Sequence, residues 1–269
     1  MSARIKQCFA VAAEAGRKVL IPFVTAGDPD PGLTVELMHC MANSGADLIE
    51  LGVPFSDPMA DGPVIQASSE RAISRGIGLT QVFEWVRQFR GADTVTPVVL
   101  MGYMNPFERF GLERLAEKAA DAGVDGLLMV DCPPEELGEL AGSLLAAGVA
   151  NIRLVAPTTT EHRLKLITDG AQGFVYYVSF KGTTGAGHLD ADGLAAPLAR
   201  LRAHTGLPLA VGFGIRDSAS ALAVARHADG VVIGSALVER LADSGDSEAI
   251  LTAAAEFVGE IRSSLDSMS

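Results

Sequence analysis

The sequence predicts an α/β protein with the (β/α)8 TIM-barrel fold, in which residues 1–269 form a single domain with an extra helix at each end. Three observations predict this fold. The length of 269 residues matches one such barrel, for which about 250 residues is typical. Eight short apolar runs alternate with longer helical patterns, and no linker or shift in composition divides the chain. An open, doubly wound sheet is the alternative.

The eight predicted strands are mostly continuous apolar runs rather than alternating ones, which is typical of parallel strands buried on both faces. In chain order they cover Val19–Thr25, residues 47–53, 97–101, 126–130, 151–155, 173–178 and 208–212, and finally Gly230–Ile233. Parallel pairing brings the carboxyl ends of all these strands to one face of a barrel, where such enzymes carry their chemistry.

Helical periodicity separates the strands over residues 33–44, 81–90, Leu112–Ala122, 135–147 and 191–204. The extra helices are predicted over residues 3–15 and 247–265. A glycine at the end of a helical pattern favours a left-handed cap, which predicts caps at Gly45, Gly123, Gly148 and Gly206. Two long insertions, residues 54–79 and 179–190, follow the second and sixth strands at the predicted functional face.

The formal net charge of −12 and the isoelectric point of about 4.8 predict an acidic surface, which argues against nucleic-acid binding. The cysteines Cys8, Cys40 and Cys132 are far apart and form no CxxC pair, which favours a reducing compartment without structural zinc. No apolar run approaches the roughly 18 residues of a membrane span. The sequence therefore predicts a cytoplasmic protein without a metal site.

Three candidate carboxylates, Glu50, Asp57 and Asp61, lie within or just after the second predicted strand. Glu50 lies within an apolar run, where burial favours the protonated form and permits proton exchange near neutral pH. The alternative is an outward-facing glutamate in a structural ion pair. Asp61 precedes Gly62-Pro63, where a helix could begin, so that it either caps a turn or takes part in chemistry. Asp57 between Ser56 and Pro58 is typical of a turn.

The loops after the seventh and eighth strands are rich in glycine, with Gly212, Gly214 and Gly234. Glycine permits close backbone approach, and these two loops of a barrel commonly bind phosphate with helix amides. Ser235 is predicted to cap a helix that begins at Ala236. The polar, glycine-rich residues 181–188 are typical either of a mobile lid over the same face or of an ordinary loop.

Several sequence motifs, taken in order, resemble the tryptophan synthase α chain family. They are IPFVTAGDP at 21–29, ELGVPFSDP at 50–58, DGP at 61–63, MGYMNP at 101–106, TG at 184–185, GFGI at 212–215 and GS at 234–235. The likeness extends from the first predicted strand to the last. It implies a (β/α)8-barrel lyase of tryptophan biosynthesis that needs no metal or organic cofactor of its own. The implied reaction is the reversible retro-aldol cleavage of indole-3-glycerol phosphate to indole and glyceraldehyde 3-phosphate.

The resemblance also implies roles for matching positions of this sequence. The catalytic residues of the family fall on Glu50 and Asp61. The phosphate-binding positions fall on Gly185, Phe213, Gly214, Gly234 and Ser235, the lid threonine on Thr184, and the tyrosine near the carboxylates on Tyr176. The implied indole pocket is lined by Phe23, Met101 and Leu128.

The resemblance further implies an α2β2 heterotetramer, in which a β chain with pyridoxal phosphate consumes the indole. The implied contacts with that β chain lie around Pro54, Asp57 and Pro58. Three other interpretations remain open: a stand-alone lyase that releases free indole, a Schiff-base aldolase that uses Lys181, and a non-enzymatic regulatory subunit. The pair of Glu50 and Asp61 argues against the last of these.

Overall fold

Eight parallel strands close into a barrel in the order of the sequence, which confirms the predicted fold class. They are β1 (Val19–Thr25), β2 (Ile49–Gly52), β3 (Val98–Gly102), β4 (Gly126–Met129), β5 (Ala150–Val155), β6 (Val175–Val178), β7 (Leu209–Gly212) and β8 (Gly230–Ile233). Residues 19–22 of β1 pair with residues 230–233 of β8, which closes the sheet. The structure is a computed structural model that describes residues 2–178, 192–212 and 214–268.

Twelve α-helices lie in the part of the chain that the structure describes. They are α1 (Ala3–Glu14), α2 (Thr34–Asn43), α3 (Pro63–Ser74), α4 (Leu79–Arg90), α5 (Met104–Phe110), α6 (Leu112–Ala122), α7 (Gly138–Ala147), α8 (Glu161–Asp169), α9 (Ala195–Arg202), α10 (Ser218–Ala225), α11 (Ser235–Ala242) and α12 (Ser247–Asp266). The two extra helices predicted at the chain ends are α1 and α12. Within the described residues, no helix combines the length and the apolar character needed to cross a membrane.

The predicted strands agree with the observed ones to within two residues at each end, and β1 and β8 agree fully. The predicted helix over residues 135–147 is wrong at its start. A 3₁₀ turn at Pro134–Glu136 comes first, and α7 begins only at Gly138, whose φ of +46° interrupts regular helical geometry. Similarly, the predicted helix over residues 191–204 is shorter in the structure, where a 3₁₀ turn at Asp192–Leu194 precedes α9.

The left-handed glycine caps are confirmed at Gly123 and Gly148. At the end of α2, Ser44 takes the cap position, and Gly45 follows it with a φ of +105°. The cap predicted at Gly206 is wrong, because α9 ends at Arg202 and Ala203 takes the cap position. The predicted cap at Ser235 is also wrong. Helix α11 begins at Ser235 itself, Gly234 takes the cap position, and no side chain of the described residues makes the capping bond. Finally, the long insertion over residues 54–79 contains a full helix, α3.

The apolar core has two layers, because side chains along each strand alternate between the barrel interior and the surrounding helices. The inner layer includes Ile21, Leu48, Val99, Leu128, Ile152 and Tyr176, and the outer layer includes Leu20, Ile49, Leu51 and Leu100. Helix α1 adds Ile5, Phe9 and Ala12 to the inner layer. The amino end of the barrel is therefore filled by α1, and the polar groups of the site lie at the other end.

A buried carboxylate ties four elements together at the amino end of the barrel. Asp125, just before β4, is 2% exposed. Its oxygens accept hydrogen bonds from Ser2 Oγ at 2.6 Å, Arg4 Nη1 at 3.0 Å, Arg90 Nη2 at 2.6 Å and the Val98 amide at 2.9 Å. The four bonds join β4 to α1, α4 and β3. These donors compensate for the cost of burying the Asp125 carboxylate, because a buried ion without partners destabilises the fold.

Candidate active site

Glu50 lies on β2 with its side chain inside the barrel. Its neighbours Ile49 and Leu51 belong to the outer layer, so that strand alternation turns Glu50 inward. The residue is 1% exposed, and neither carboxyl oxygen has a hydrogen-bond partner among the described residues. Burial, with a smaller contribution from the charge of Asp61, raises the pKa of Glu50 to about 8. This geometry supports the protonatable carboxyl and not the structural ion pair.

Asp61 lies in the loop between β2 and α3, just before the helix begins at Pro63. The Tyr103 hydroxyl donates a hydrogen bond to Asp61 Oδ2 at 3.1 Å. Burial raises the pKa of Asp61 to about 6, while the hydrogen bond from Tyr103 favours the ionised form and opposes that shift. No side chain of the described residues caps α3, so the Asp61 carboxylate does not serve as a helix cap.

The two carboxyl groups differ in protonation near neutral pH. With pKa values of about 8 for Glu50 and about 6 for Asp61, Glu50 holds a proton and Asp61 is ionised between these values. An acid and a base with their pKa values set apart by their surroundings are what general acid–base catalysis requires. The charge of Asp61 contributes to the raised pKa of Glu50, so the two carboxyl groups are close enough to interact electrostatically.

Tyr176 on β6 interacts electrostatically with both carboxyl groups. Its ring belongs to the inner layer of the core, and burial together with the charges of Glu50 and Asp61 raises its pKa well above the ordinary value. Tyr176 is therefore neutral near pH 7. A Cβ on Gly212 would lie 2.0 Å from the Tyr176 hydroxyl oxygen, so that a glycine at the end of β7 is needed to make room for the ring.

An apolar wall stands beside the carboxyl groups. Phe23 on β1 is the register partner of Glu50 on β2, and Met101 on β3 is the partner of Leu128 on β4. Leu128 lies in the inner layer, and Met101 packs against that layer and against the small cluster that contains Phe23. A Cβ on Gly52 would lie 2.5 Å from Phe23 Cζ, so Gly52 lets the Phe23 ring cross the end of β2.

The start of α11 supplies backbone amides at the carboxyl end of β8. Gly234 takes the cap position and Ser235 the first helical position, next to the paired strand β7. The first amides of a helix have no partner within the helix and carry its positive dipole end, which suits an anion. Gly214, after β7, has a φ of +77°, a conformation that glycine adopts readily. Of the other residues predicted for this region, Phe213, Thr184 and Gly185 lie outside the described residues, as does Lys181.

The loop after β2 combines buried prolines with exposed residues. Pro54 and Pro58 are buried, whereas Asp57 is exposed and accepts a hydrogen bond from Ser56 Oγ at 2.6 Å. The Met59 side chain, next along the loop, is 84% exposed. The prolines therefore fix the loop, while Asp57 and Met59 offer the accessible surface.

The three cysteines lie outside the site formed by Glu50, Asp61 and Tyr103. Cys132, after β4, is half-buried, and its thiol contacts the carbonyl of Pro133. Cys8, Cys40 and Cys132 are all free thiols. Among the residues that the structure describes, no group of three or more His, Cys, Asp or Glu side chains lies together as a metal site would require.

Two residues of the site were not predicted individually from the sequence. Tyr103 follows β3 directly, and the available signals were its position at a strand's carboxyl end and its place in the MGYMNP motif. Gly52 ends β2, and its role depends on the Phe23 ring of the neighbouring strand. Neither contact follows from local sequence, because each joins residues that the fold brings together from separate strands or loops.

The fold and the site define an enzyme of the (β/α)8-barrel class, with two carboxyl groups of unlike pKa at one end of the barrel. The sequence profile of one family, described as "Tryptophan synthase alpha chain", matches residues 9–265. The chain belongs to the tryptophan synthase α chain family. It is a lyase of tryptophan biosynthesis that cleaves indole-3-glycerol phosphate to indole and glyceraldehyde 3-phosphate.

Individual relatives show the same likeness over nearly the whole chain. The tryptophan synthase alpha chain of Thioalkalivibrio sulfidiphilus is 58% identical, over 98% of this chain and 99% of the relative. That of Bordetella parapertussis is 55% identical, over 98% of this chain and 95% of the relative. Among solved structures, tryptophan synthase subunit alpha from Legionella pneumophila superposes with a TM-score of 0.92 at 42% identity, covering 99% of each chain.

Proposed function

We propose that Glu50 and Asp61 divide the work of the cleavage reaction. The protonated Glu50 gives its proton to indole C3, and the resulting carboxylate takes the proton of the glycerol hydroxyl as the carbon–carbon bond breaks and the aldehyde forms. Glu50 thus begins and ends the cycle protonated. The ionised Asp61 accepts a hydrogen bond from the indole N–H and stabilises its developing positive charge. The observation that carries this proposal is the pair of unlike pKa values, about 8 and about 6, at one end of the barrel.

The apolar wall is proposed to hold the indole ring. Phe23 is the register partner of Glu50, and Met101 packs against the clusters that contain Phe23 and Leu128. These apolar side chains suit a flat aromatic substrate. Tyr176, neutral beside both carboxyl groups, would support their arrangement as a hydrogen-bond donor. Excluding water from this wall also preserves the raised pKa of Glu50.

The substrate phosphate is proposed to bind at the start of α11, where the backbone of Gly234 and Ser235 offers amides and Gly214 allows close approach. The acidic chain carries a net charge of −12, so that the local dipole has to hold the anion against an unfavourable overall field. Gly185 and Phe213 complete the proposed phosphate set, and Thr184 is the proposed lid residue; all three are proposed on the family resemblance alone.

Replacing Gly234 with aspartate is expected to raise KM for indole-3-glycerol phosphate at least tenfold, with a much smaller change in kcat. A carboxylate at the start of α11 would repel the phosphate and oppose the helix dipole; about 1.4 kcal/mol corresponds to that factor of ten. The nearest atoms to a Cβ at this position belong to the Phe23 side chain, with Cδ1 at 3.5 Å in ordinary van der Waals contact, so the fold should accept the change. Steady-state kinetics over a range of substrate concentrations measure the effect.

The matched control for that experiment is Gly245→Asp, in the loop between α11 and α12. A Cβ at Gly245 meets nothing within 4 Å, and the variant adds the same charge away from the proposed site. The control should retain the KM of the unmodified chain. Equal KM values for the two variants would remove Gly234 from the phosphate site.

A β chain is the expected partner, and we propose an α2β2 assembly in which the β chain binds pyridoxal phosphate and consumes the indole. This chain is proposed to need no cofactor of its own. The proposed contact is the loop after β2, where Asp57 and Met59 are exposed while Pro54 and Pro58 hold the loop in shape. A loop that is already fixed loses less freedom on binding a partner.

Replacing Asp57 with alanine is expected to weaken activation by the β chain more than intrinsic cleavage. The Asp57 side chain is exposed and its one hydrogen bond within the described residues comes from Ser56, so its removal leaves the catalytic carboxyl groups in place. Cleavage rates measured without the β chain and at increasing β-chain concentrations give the intrinsic rate and the degree of activation. Asp243→Ala, an exposed carboxylate at the end of α11, is the control, and equal losses in both rates for Asp57→Ala would contradict a docking role.

We also propose that residues 1–269 form one catalytic domain in the cytoplasm. Closure of the barrel by β1 and β8, with α1 packed into its interior, supports a single folding unit. Three free thiols are what a reducing compartment permits.

The test of the proposed function is the cleavage of indole-3-glycerol phosphate by the purified chain, with and without a cognate β chain, following both products. We expect weak cleavage that rises sharply with the β chain, and a rate that declines below about pH 6 and above about pH 8 as Asp61 gains and Glu50 loses a proton. Strong cleavage without the partner would favour a stand-alone lyase. Borohydride trapping at Lys181 would favour a Schiff-base aldolase, and no cleavage in either condition would refute the proposed division of work.

A further inference from the structure

Tyr103 connects two neighbouring residues of the loop that carries Asp61. Its hydroxyl oxygen accepts a hydrogen bond from the Ala60 amide at 3.0 Å, and its hydroxyl hydrogen is donated to Asp61 Oδ2 at 3.1 Å. One side-chain oxygen therefore fixes both the backbone just before Asp61 and the carboxylate itself. Asp61 Oδ1 has no hydrogen bond to any described side chain, so that this oxygen is the one available to a substrate donor.

The Tyr103 ring is itself held in place. The residue is 3% exposed, and its ring packs against Phe55 with the centroids 5.3 Å apart. The next residue, Met104, donates its backbone amide to Asp131 Oδ1 at 2.7 Å, which fixes the start of α5 directly after the tyrosine. A hydroxyl on such a fixed ring has little freedom to follow a moving partner, so it can define a position for Asp61.

We propose that Tyr103 is a positioning residue for the cleavage reaction, which holds the Asp61 carboxylate with one oxygen engaged and the other turned toward the indole N–H. This inference rests on the proposed role of Asp61. Phe55 and Ala60 belong to the same loop as Asp57, the proposed contact with the β chain. Tyr103 would thus also make the position of Asp61 depend on the shape of the docking loop.

The charges around Asp61 make the hydroxyl of Tyr103 important for its ionisation. Among the described residues, the titratable groups that interact with Asp61 are Glu50 on β2, Tyr176 on β6 and Tyr103 after β3. Asp131 acts on Tyr103 from the loop after β4. Burial favours protonated Asp61, whereas the hydrogen bond from Tyr103 lowers its pKa. Removing this bond should raise the pKa of Asp61 and reduce the ionised fraction near pH 6.

The test is Tyr103→Phe, which removes one oxygen and keeps the ring against Phe55. We expect kcat to fall about tenfold with a smaller change in KM, because a hydrogen bond to a charged group is lost and Asp61 is less well placed. The acidic limb of the pH–rate profile, and the midpoint of the Asp61 carboxyl signal followed by 13C NMR, should both move to higher pH. The Asp61→Asn variant assigns that signal.

Tyr177→Phe is the matched control. Tyr177 follows Tyr176 on β6, and its ring lies in the outer layer of the core, away from the barrel interior. It loses the same atom from a buried tyrosine and should keep the kcat, the pH profile and the Asp61 midpoint of the unmodified chain. An unchanged Asp61 midpoint in a folded Tyr103→Phe variant would overturn the inference, even if kcat falls. If the unmodified chain and Tyr177→Phe fail to cleave the substrate, the proposed function fails, whereas the NMR midpoint still decides the role of Tyr103.

Discussion

Replacing Glu50 with glutamine is expected to lower kcat for indole-3-glycerol phosphate cleavage by at least about 100-fold, because the amide cannot donate or accept the transferred proton. Glutamine has the same shape, and neither oxygen of Glu50 has a partner within the described residues that would be lost. Substrate binding should therefore persist. The measurements are indole and glyceraldehyde 3-phosphate formation, together with substrate binding by calorimetry.

The control for this experiment is Glu36→Gln, the same chemical change at an exposed position in the first turn of α2. It should leave kcat unchanged. Undiminished cleavage by Glu50→Gln, with contamination by unmodified enzyme excluded, would contradict the proton-transfer role. A loss of binding without a loss of kcat would instead assign Glu50 to holding the substrate.

Replacing Asp125 with alanine is expected to lower the free energy of unfolding by about 3 kcal/mol. It leaves the Val98 amide without its acceptor and buried Arg90 with only the more distant carboxylate of Asp93, at 4.0 Å. The Arg90 guanidinium side chain is 9% exposed and keeps its hydrogen bonds to the carbonyls of Gly123 and Thr96. These remaining bonds limit the loss. The measurement is denaturant-induced unfolding followed by circular dichroism.

Asp121→Ala is the control, because Asp121 is an exposed residue of α6 whose ion pair with Lys118 is accessible to water. Its effect on the free energy of unfolding should be within about 0.5 kcal/mol. The Asp125→Ala variant should also keep its kcat under conditions where it is folded, since Asp125 lies at the opposite end of the barrel from the carboxyl pair. Equal stability of the two variants would show that the network around Asp125 contributes nothing measurable.

The strands and the two carboxyl groups could be predicted from the sequence because each has a local signal. A continuous apolar run is the consequence of burial on both faces, and Glu50 is conspicuous as a carboxylate within such a run. The ends of elements were less predictable. The predicted strand over residues 47–53 is longer than β2, which covers only Ile49–Gly52, although the Asp47 and Val53 amides still donate hydrogen bonds to carbonyls of the neighbouring strands. Gly206 resembled a helix cap, but α9 ends earlier because its last turn closes on Ala203.

The arrangement of the site could be predicted only in part. Glu50 and Asp61 were identified from residue type and context, but the hydroxyl that orients Asp61 comes from Tyr103, which follows a different strand. The same holds for Gly52 and Gly212, since their small size matters only when Phe23 and Tyr176 of neighbouring strands lie against them. Such contacts depend on register between strands, which local sequence does not determine.

Barrel closure has a consequence for how the chain is made. Strand β1 pairs with β8 through residues 19–22 and 230–233, which lie more than 200 residues apart in the chain. Helix α1 can bury Ile5 and Phe9 only when the barrel is closed. During synthesis the amino-terminal strand therefore has an unpaired edge until nearly the whole polypeptide has left the ribosome. Contacts between such distant segments form slowly, and exposed strand edges invite association. The nascent chain would depend on chaperones, or on rapid completion of translation, to protect β1 until β8 arrives.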